Sequence, residues 1–147
     1  MSLFNPSRDE VRAFFFSAWK TFKLQQVLTD LEKIAVSVIL LHPEYHAMLD
    51  RPAQYEHQDY FPEMGETNPF LHMSLHLSIH EQLSINQPIG IVGIYEKLMH
   101  KYQDAHLAQH DLIECLAETI WLAQRSQTNL DAAHYLTLLQ QKAGTIA

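Results

Sequence analysis

Signals for helix starts recur along this sequence and limit the folds that it can adopt. Ser7-Arg8-Asp9-Glu10 and Thr29-Asp30-Leu31-Glu32 have the Ser/Thr-x-x-Glu form, in which two side chains cap the free backbone amides of a first helical turn. Asn68-Pro69 places an N-cap residue before a proline at the first helical position. Apolar residues at helical spacing follow each signal, and no pair of segments has the alternating pattern of strands. We therefore expect an all-α fold.

Prolines and glycines divide the predicted helices. Pro43 must end or kink the second helix because proline has no amide hydrogen. The segment from Asp50 to Thr67 holds two prolines, a glycine and five acids, and it is predicted to be a long irregular acidic loop. A chain of 147 residues suits one domain, so we expect a compact bundle of about five helices that forms a single domain over 1–147. The helices are expected at about 7–22, 29–41, 69–84, 91–125 and 130–143.

Charge and composition exclude several classes of protein. A hydrophobic content of 47% favours a globular chain over a disordered one. A net charge of −7 repels phosphate backbones, and the longest apolar run near the middle, 34–41, is too short to cross a bilayer. Cys115 is the single cysteine, so a reducing compartment is favoured. We expect a cytoplasmic protein that binds neither nucleic acid nor membranes. A protein partner or a homodimer stays open.

Ten histidines are the most informative part of the composition. His72 and His76 are four residues apart on the third predicted helix, so their imidazoles lie on one face, one turn apart. A helical wheel places both at the edge of an apolar stripe formed by Leu71, Leu75, Ile79 and Leu83. This separation suits a shared metal ion. Imidazole binds Zn, Fe, Cu and Ni, and we expect Zn, Fe or Ni as the cofactor if there is one.

The fourth predicted helix carries a similar row, His106, His110 and Glu114. Its wheel predicts that His106 is buried and that the other two lie at the boundary of the core. Two helices that both present imidazoles to an interior can complete one metal site, with the glutamate as a ligand or as a partner that orients an imidazole. His42 and His46, at the bend around Pro43, are reserve ligands. An open metal position would allow hydrolysis or oxygen chemistry.

A second interpretation needs no metal. A histidine at the edge of a core is commonly a hydrogen-bonding group, and the protein would then be a non-enzymatic interaction or structural protein. The aromatic residues Tyr55, Tyr60 and Phe61 of the acidic loop would form the contact surface, unless they fold back onto the helices. Cys115 has apolar neighbours and is expected to be a buried, inert thiol. No residue is assigned a catalytic role, and whether the protein is an enzyme stays open.

Three stretches together resemble a known family. They are His42-Pro43-Glu44-Tyr45-His46, then Asn68-Pro69-Phe70-Leu71-His72 with His76, and Glu114-Cys115-Leu116-Ala117-Glu118 leading to Trp121 and Ala123-Gln124-Arg125. In this order they are similar to the bacterial domain-of-unknown-function family 1841, over about 14–125. The resemblance implies a small cytoplasmic bacterial protein and implies no activity. The metal hypothesis therefore depends on the spacing of the histidines alone.

Overall fold

A computed structural model of the protein describes residues 8–61, 64 and 67–144. Within these residues the secondary structure is helical and contains no strand, which confirms the all-α prediction. None of the described helices combines the length and the apolar character needed to span a bilayer. Eight α-helices lie within these described ranges: α1 (Arg8–Lys23), α2 (Asp30–Leu40), α3 (His46–Leu49), α4 (Pro52–Tyr55), α5 (Pro69–Ile85), α6 (Ile91–Tyr102), α7 (Ala105–Ser126) and α8 (Ala132–Gly144), with a 3-10 turn at Pro43–Tyr45.

Two of the three predicted helix starts lie within the described residues, and both are confirmed. The hydroxyl of Thr29 accepts from the amide of Glu32 at 3.2 Å, and the Glu32 carboxylate accepts from the Thr29 amide at 2.8 Å. The side-chain oxygen of Asn68 accepts from the amides of Phe70 and Leu71 at 3.0 and 3.2 Å. The box at Ser7 includes a residue outside the described part of the chain.

The prediction of about five helices was wrong in three places, the first of which is the short helix α3 that follows the bend at Pro43. The expected helix over 91–125 is interrupted, because Gln103 adopts a left-handed conformation with φ 54° and Asp104 then caps a new helix. The Asp104 carboxylate accepts from the amides of His106 and Leu107 at 2.8 and 3.2 Å. The acidic loop is also less irregular than expected, because it contains α4, which begins with Pro52 at the first helical position.

The chain divides into two compact units, Met1–Leu77 and Ser78–Ala147. The first unit has a core built on α1 and α2, with Phe15, Trp19 and Ile39 at its centre. Although the sequence of α2 is apolar on nearly every side, the structure buries one side of this helix and exposes Leu31 and Leu40. The single-domain organisation stays a prediction.

The second unit is built from the C-terminal part of α5 and three further helices. The helices α6, α7 and α8 contact one another pairwise. Leu98, Leu112 and Leu139 are fully buried in this unit. The hydroxyl of Tyr135, on α8, donates to the side-chain oxygen of Gln82 on α5 at 2.8 Å. This unit therefore has its own apolar core and its own polar tie between helices.

A buried arginine fixes the start of the acidic loop to α1. Arg12 is only 2% exposed, and its guanidinium donates to the carbonyls of Glu56 and Gln58 at 3.1 and 2.7 Å. The same group lies 4.8 Å from the centre of the Phe70 ring and 5.5 Å from that of Tyr60. Charge-assisted hydrogen bonds of this kind are the stronger ones, so Arg12 holds the loop backbone on the core of the first unit.

Replacing Arg12 should destabilise the protein far more than replacing its exposed neighbour Arg8. Arg12→Met removes the buried charged group that donates to the Glu56 and Gln58 carbonyls, so we expect the free energy of unfolding to fall by about 2–3 kcal/mol. Arg8 contacts the same segment through Asp59 at 2.8 Å on the surface, and Arg8→Met should cost about 0–1 kcal/mol. Urea unfolding measures the free energy of unfolding of both variants. Equal losses of stability would contradict the expectation that the buried arginine contributes more than the exposed one.

Candidate metal centre

His42 is turned into the core by the end of α2. A residue that precedes proline is disfavoured in the helical region, and His42 before Pro43 accordingly has φ −126° and ψ 67°. Its side chain folds back against the helix that it ends, with Nδ1 2.8 Å from the carbonyl oxygen of Val38. The imidazole is buried, with 2% of the residue exposed.

This contact determines which nitrogen of His42 carries the proton. A carbonyl oxygen can only accept, so Nδ1 of His42 donates to Val38. In the neutral ring the lone pair is then on Nε2, and this atom lies 3.1 Å from Nε2 of His72. Metal-binding histidines commonly donate one ring N–H to a backbone carbonyl, which directs the other nitrogen at the point where the ion binds.

His72 and His76 complete a triangle of imidazoles around that point. Both lie on α5, one turn apart, as the sequence predicts. The ring centres of His42, His72 and His76 are 4.8 to 4.9 Å apart in all three pairs, and the ring planes are inclined by 68° to 81°. One ring nitrogen of each lies within 4.8 Å of the others. His76 is fully buried, and His72 is half-buried.

The distances suit three ligands on one ion. Two nitrogens bound to zinc at tetrahedral angles are about 3.3 Å apart, close to the 3.1 Å between His42 and His72. Ring centres around the same ion would be about 5 Å apart, which is close to the observed triangle. The inclined, edge-to-face arrangement of the rings is compatible with packing and with ligation of one ion, so the argument for a shared ion comes from the distances.

The buried face of α5 differs from the face that the wheel predicts. Phe70, Met73, His76 and Ile79 form the buried row, whereas Leu71 is exposed. The prediction was wrong because apolar residues occur on nearly every side of this helix, so their periodicity does not determine which side faces the core. The consequence for the site is that His76 lies at the middle of the buried face and not at its edge.

Tyr45 covers one side of the His42 ring. The two rings are almost parallel, at 6°, with centres 5.3 Å apart, and the Tyr45 amide donates to the His42 carbonyl at 2.9 Å. Burial of the half-buried tyrosine raises the pKa of its hydroxyl, and the nearby Glu44 carboxylate raises it further. Tyr45 therefore stays neutral and limits the orientations that His42 can adopt.

His46, the other reserve ligand, makes different contacts. Its Nε2 lies 2.8 Å from the carbonyl oxygen of Ile39, to which it donates. Its ring packs on Trp19 at 4.6 Å between centres. The Trp19 indole in turn donates to the carboxylate of Asp50 at 2.8 Å. These contacts give His46 a part in holding α1 against the bend.

The histidines of α7 lie in the second unit. The rings of His106 and His110 have centres 4.1 Å apart, and both residues are half-buried, although the wheel places His106 in the core. The face of α7 that carries His106 and His110 also carries Trp121, which is exposed, so this face is less buried than the wheel predicts. The Glu114 side chain is 67% exposed and accepts from the ammonium group of Lys142 at 3.0 Å. Metal binding by these three residues stays a prediction.

The acidic loop does not present all its aromatic residues to solvent. Tyr55 and Tyr60 are partly buried against the core of the first unit, and the Tyr60 hydroxyl lies 3.7 Å from the sulfur of Met48. Phe61 is exposed. Two of the three aromatic residues of the predicted contact surface therefore fold back, as the other interpretation of this loop expects.

Cys115 is buried in the second unit, as predicted. Burial raises the pKa of its thiol to about 11, with smaller contributions from nearby charged groups. Only the thiolate is nucleophilic, so the folded protein holds this cysteine in its unreactive form at physiological pH.

The reactivity of Cys115 should depend on folding. At mildly alkaline pH, we expect iodoacetamide to alkylate Cys115 at least about a hundredfold more slowly in the native protein than in urea, because the unfolded thiol has a pKa of about 8.5. Mass spectrometry of the intact chain measures both rates, since this is the single cysteine. Equal rates would contradict both the burial and the raised pKa.

Comparison with known proteins gives one match. A family model described as a domain of unknown function, DUF1841, matches residues 7–141. No curated protein and no solved structure matches the chain.

Proposed function

The chain belongs to the DUF1841 family, and we propose that it binds one transition-metal ion through the imidazoles of His42, His72 and His76. The observation that carries this proposal is the triangle of rings 4.8 to 4.9 Å apart, with the lone pair of His42 directed at His72. The Val38 carbonyl fixes the protonation of the first ligand before any metal arrives. Such preparation lowers the cost of binding.

The donor atoms favour certain metals. Imidazole nitrogens suit Zn, Fe and Ni, whereas Mg and Ca prefer oxygen ligands. The potential ligands grouped around His42 in the described residues are all histidines, without a carboxylate or a thiolate. We therefore propose Zn, Fe or Ni as the bound metal. We also keep His106, His110 and Glu114 as predicted further ligands.

The alternative is that the same histidines are hydrogen-bonded core groups of an interaction or structural protein. Nδ1 of His42 and Nε2 of His46 both donate to backbone carbonyls, as this interpretation requires. Nε2 of His42 and of His72 could also share a proton across their 3.1 Å separation. The two proposals differ in what removal of metal does, so one set of measurements distinguishes them.

Protein purified without a histidine tag and without added metal should contain close to one transition-metal ion per chain. His72→Ala and His76→Ala should each reduce the metal to background, because two imidazoles hold an ion far less tightly than three. A chelator such as phenanthroline should lower the unfolding temperature of the native protein, since a bound metal stabilises the folded state by mass action. Elemental analysis and thermal unfolding are the measurements.

The matched control is His57→Ala. This histidine lies in the same unit, but its side chain is 73% exposed, so the variant should keep its metal. His110→Ala tests the predicted ligands of α7: a loss of metal supports them, and an unchanged content leaves the three histidines of the first unit as the ligand set. A native protein that has only traces of metal and does not respond to the chelator would contradict the metal proposal and favour the structural alternative.

A further inference from the structure

We infer that the metal centre takes a small anion from solution as an additional ligand, and this inference rests on the proposed function. The ligand class is a monodentate inorganic anion or a single carboxylate oxygen.

The ligands in the triangle leave the charge of the metal uncompensated. Each imidazole binds as a neutral group, so a divalent ion keeps both of its charges when His42, His72 and His76 hold it. His42 is 2% exposed and His76 is 0% exposed, so most of the surroundings of the ion would be protein and not water. A buried charge without a partner is costly, and an anionic ligand removes much of that cost.

Within the part of the chain that the structure describes, no carboxylate is grouped with His42, His72 and His76. Glu114 is the one carboxylate among the predicted ligands, and it is exposed and ion-paired with Lys142 at 3.0 Å. Glu44 follows His42 closely in sequence, but it is exposed and is not among the grouped ligands. His106 and His110 are neutral donors as well, so they would not offset the charge of the ion if they bound.

The coordination number leaves room for such a ligand. Zinc takes four ligands in most protein sites and five in some, so three imidazoles leave at least one position. His72 is half-buried while the other two rings are buried, which places the accessible edge of the triangle at this residue. When no other anion is present, water that has lost its proton to the solvent can fill the position, because a bound cation lowers the pKa of water strongly. Anion binding should therefore weaken as pH rises.

The test uses the full chain loaded with cobalt(II), whose visible absorption depends on its ligands. Sodium azide is the probe, and sodium perchlorate at the same ionic strength is the control because it coordinates very weakly. We expect azide at millimolar concentrations to change the cobalt spectrum along a saturating curve, and perchlorate to leave it unchanged. The apparent affinity for azide should decrease with pH as hydroxide competes for the same position.

Two results would overturn the inference in different ways. If cobalt binds at one ion per chain and its spectrum is the same in azide and in perchlorate from mildly acidic to mildly alkaline pH, the inference is wrong and the proposed metal site stands. If cobalt does not bind, both are wrong. His57→Ala, at an exposed side chain of the first unit, is the matched variant: we expect its response to azide to equal that of the native protein. Glu114→Gln tests the predicted carboxylate ligand, because a response to azide that appears only in this variant would show that Glu114 is the native anionic ligand and would overturn the inference.

Discussion

The hydrogen bond from Nδ1 of His42 to the carbonyl of Val38 is the contact on which the proposed site depends. It forms where Pro43 ends α2, and the Val38 carbonyl accepts both from the Leu41 amide, at 3.1 Å, and from His42. The bond to His42 places the imidazole in the core and leaves its lone pair on Nε2. One local event at a helix end thus provides side-chain orientation and a donor atom.

The three histidines bring several hydrogen-bond donors and acceptors into a small volume. Three neutral imidazoles carry three N–H groups and three lone pairs, and in a core each must find a partner. The bond to Val38 satisfies one N–H group, and hydrogen bonds between rings can satisfy part of the remainder. A metal ion accepts all three lone pairs at once. It therefore favours the tautomers in which the nitrogen that faces the ion carries no proton in each of the three rings. This is why the same geometry is compatible with a hydrogen-bonded core and why metal content decides between the two.

The sequence predicts local features well and long-range ones poorly. The caps at Thr29 and Asn68 could be predicted because each depends on residues within one turn. The break before Asp104 was missed because apolar periodicity continues across it, and a single aspartate is a weaker signal than a Ser/Thr-x-x-Glu box. His42 was placed only in reserve because its neighbours on α5 are thirty residues away. Arg12 gave no signal, since its partners are backbone carbonyls of a distant loop.

Nitrogen-15 spectra of the imidazoles during a zinc titration test the convergence of the three rings most directly. We expect one equivalent of zinc to shift the unprotonated nitrogens of His42, His72 and His76 together, while Nδ1 of His42 keeps its proton and the exposed His57 does not change. A titration in which the three rings respond at different zinc concentrations, or in which Nε2 of His42 carries the proton before metal is added, would contradict it.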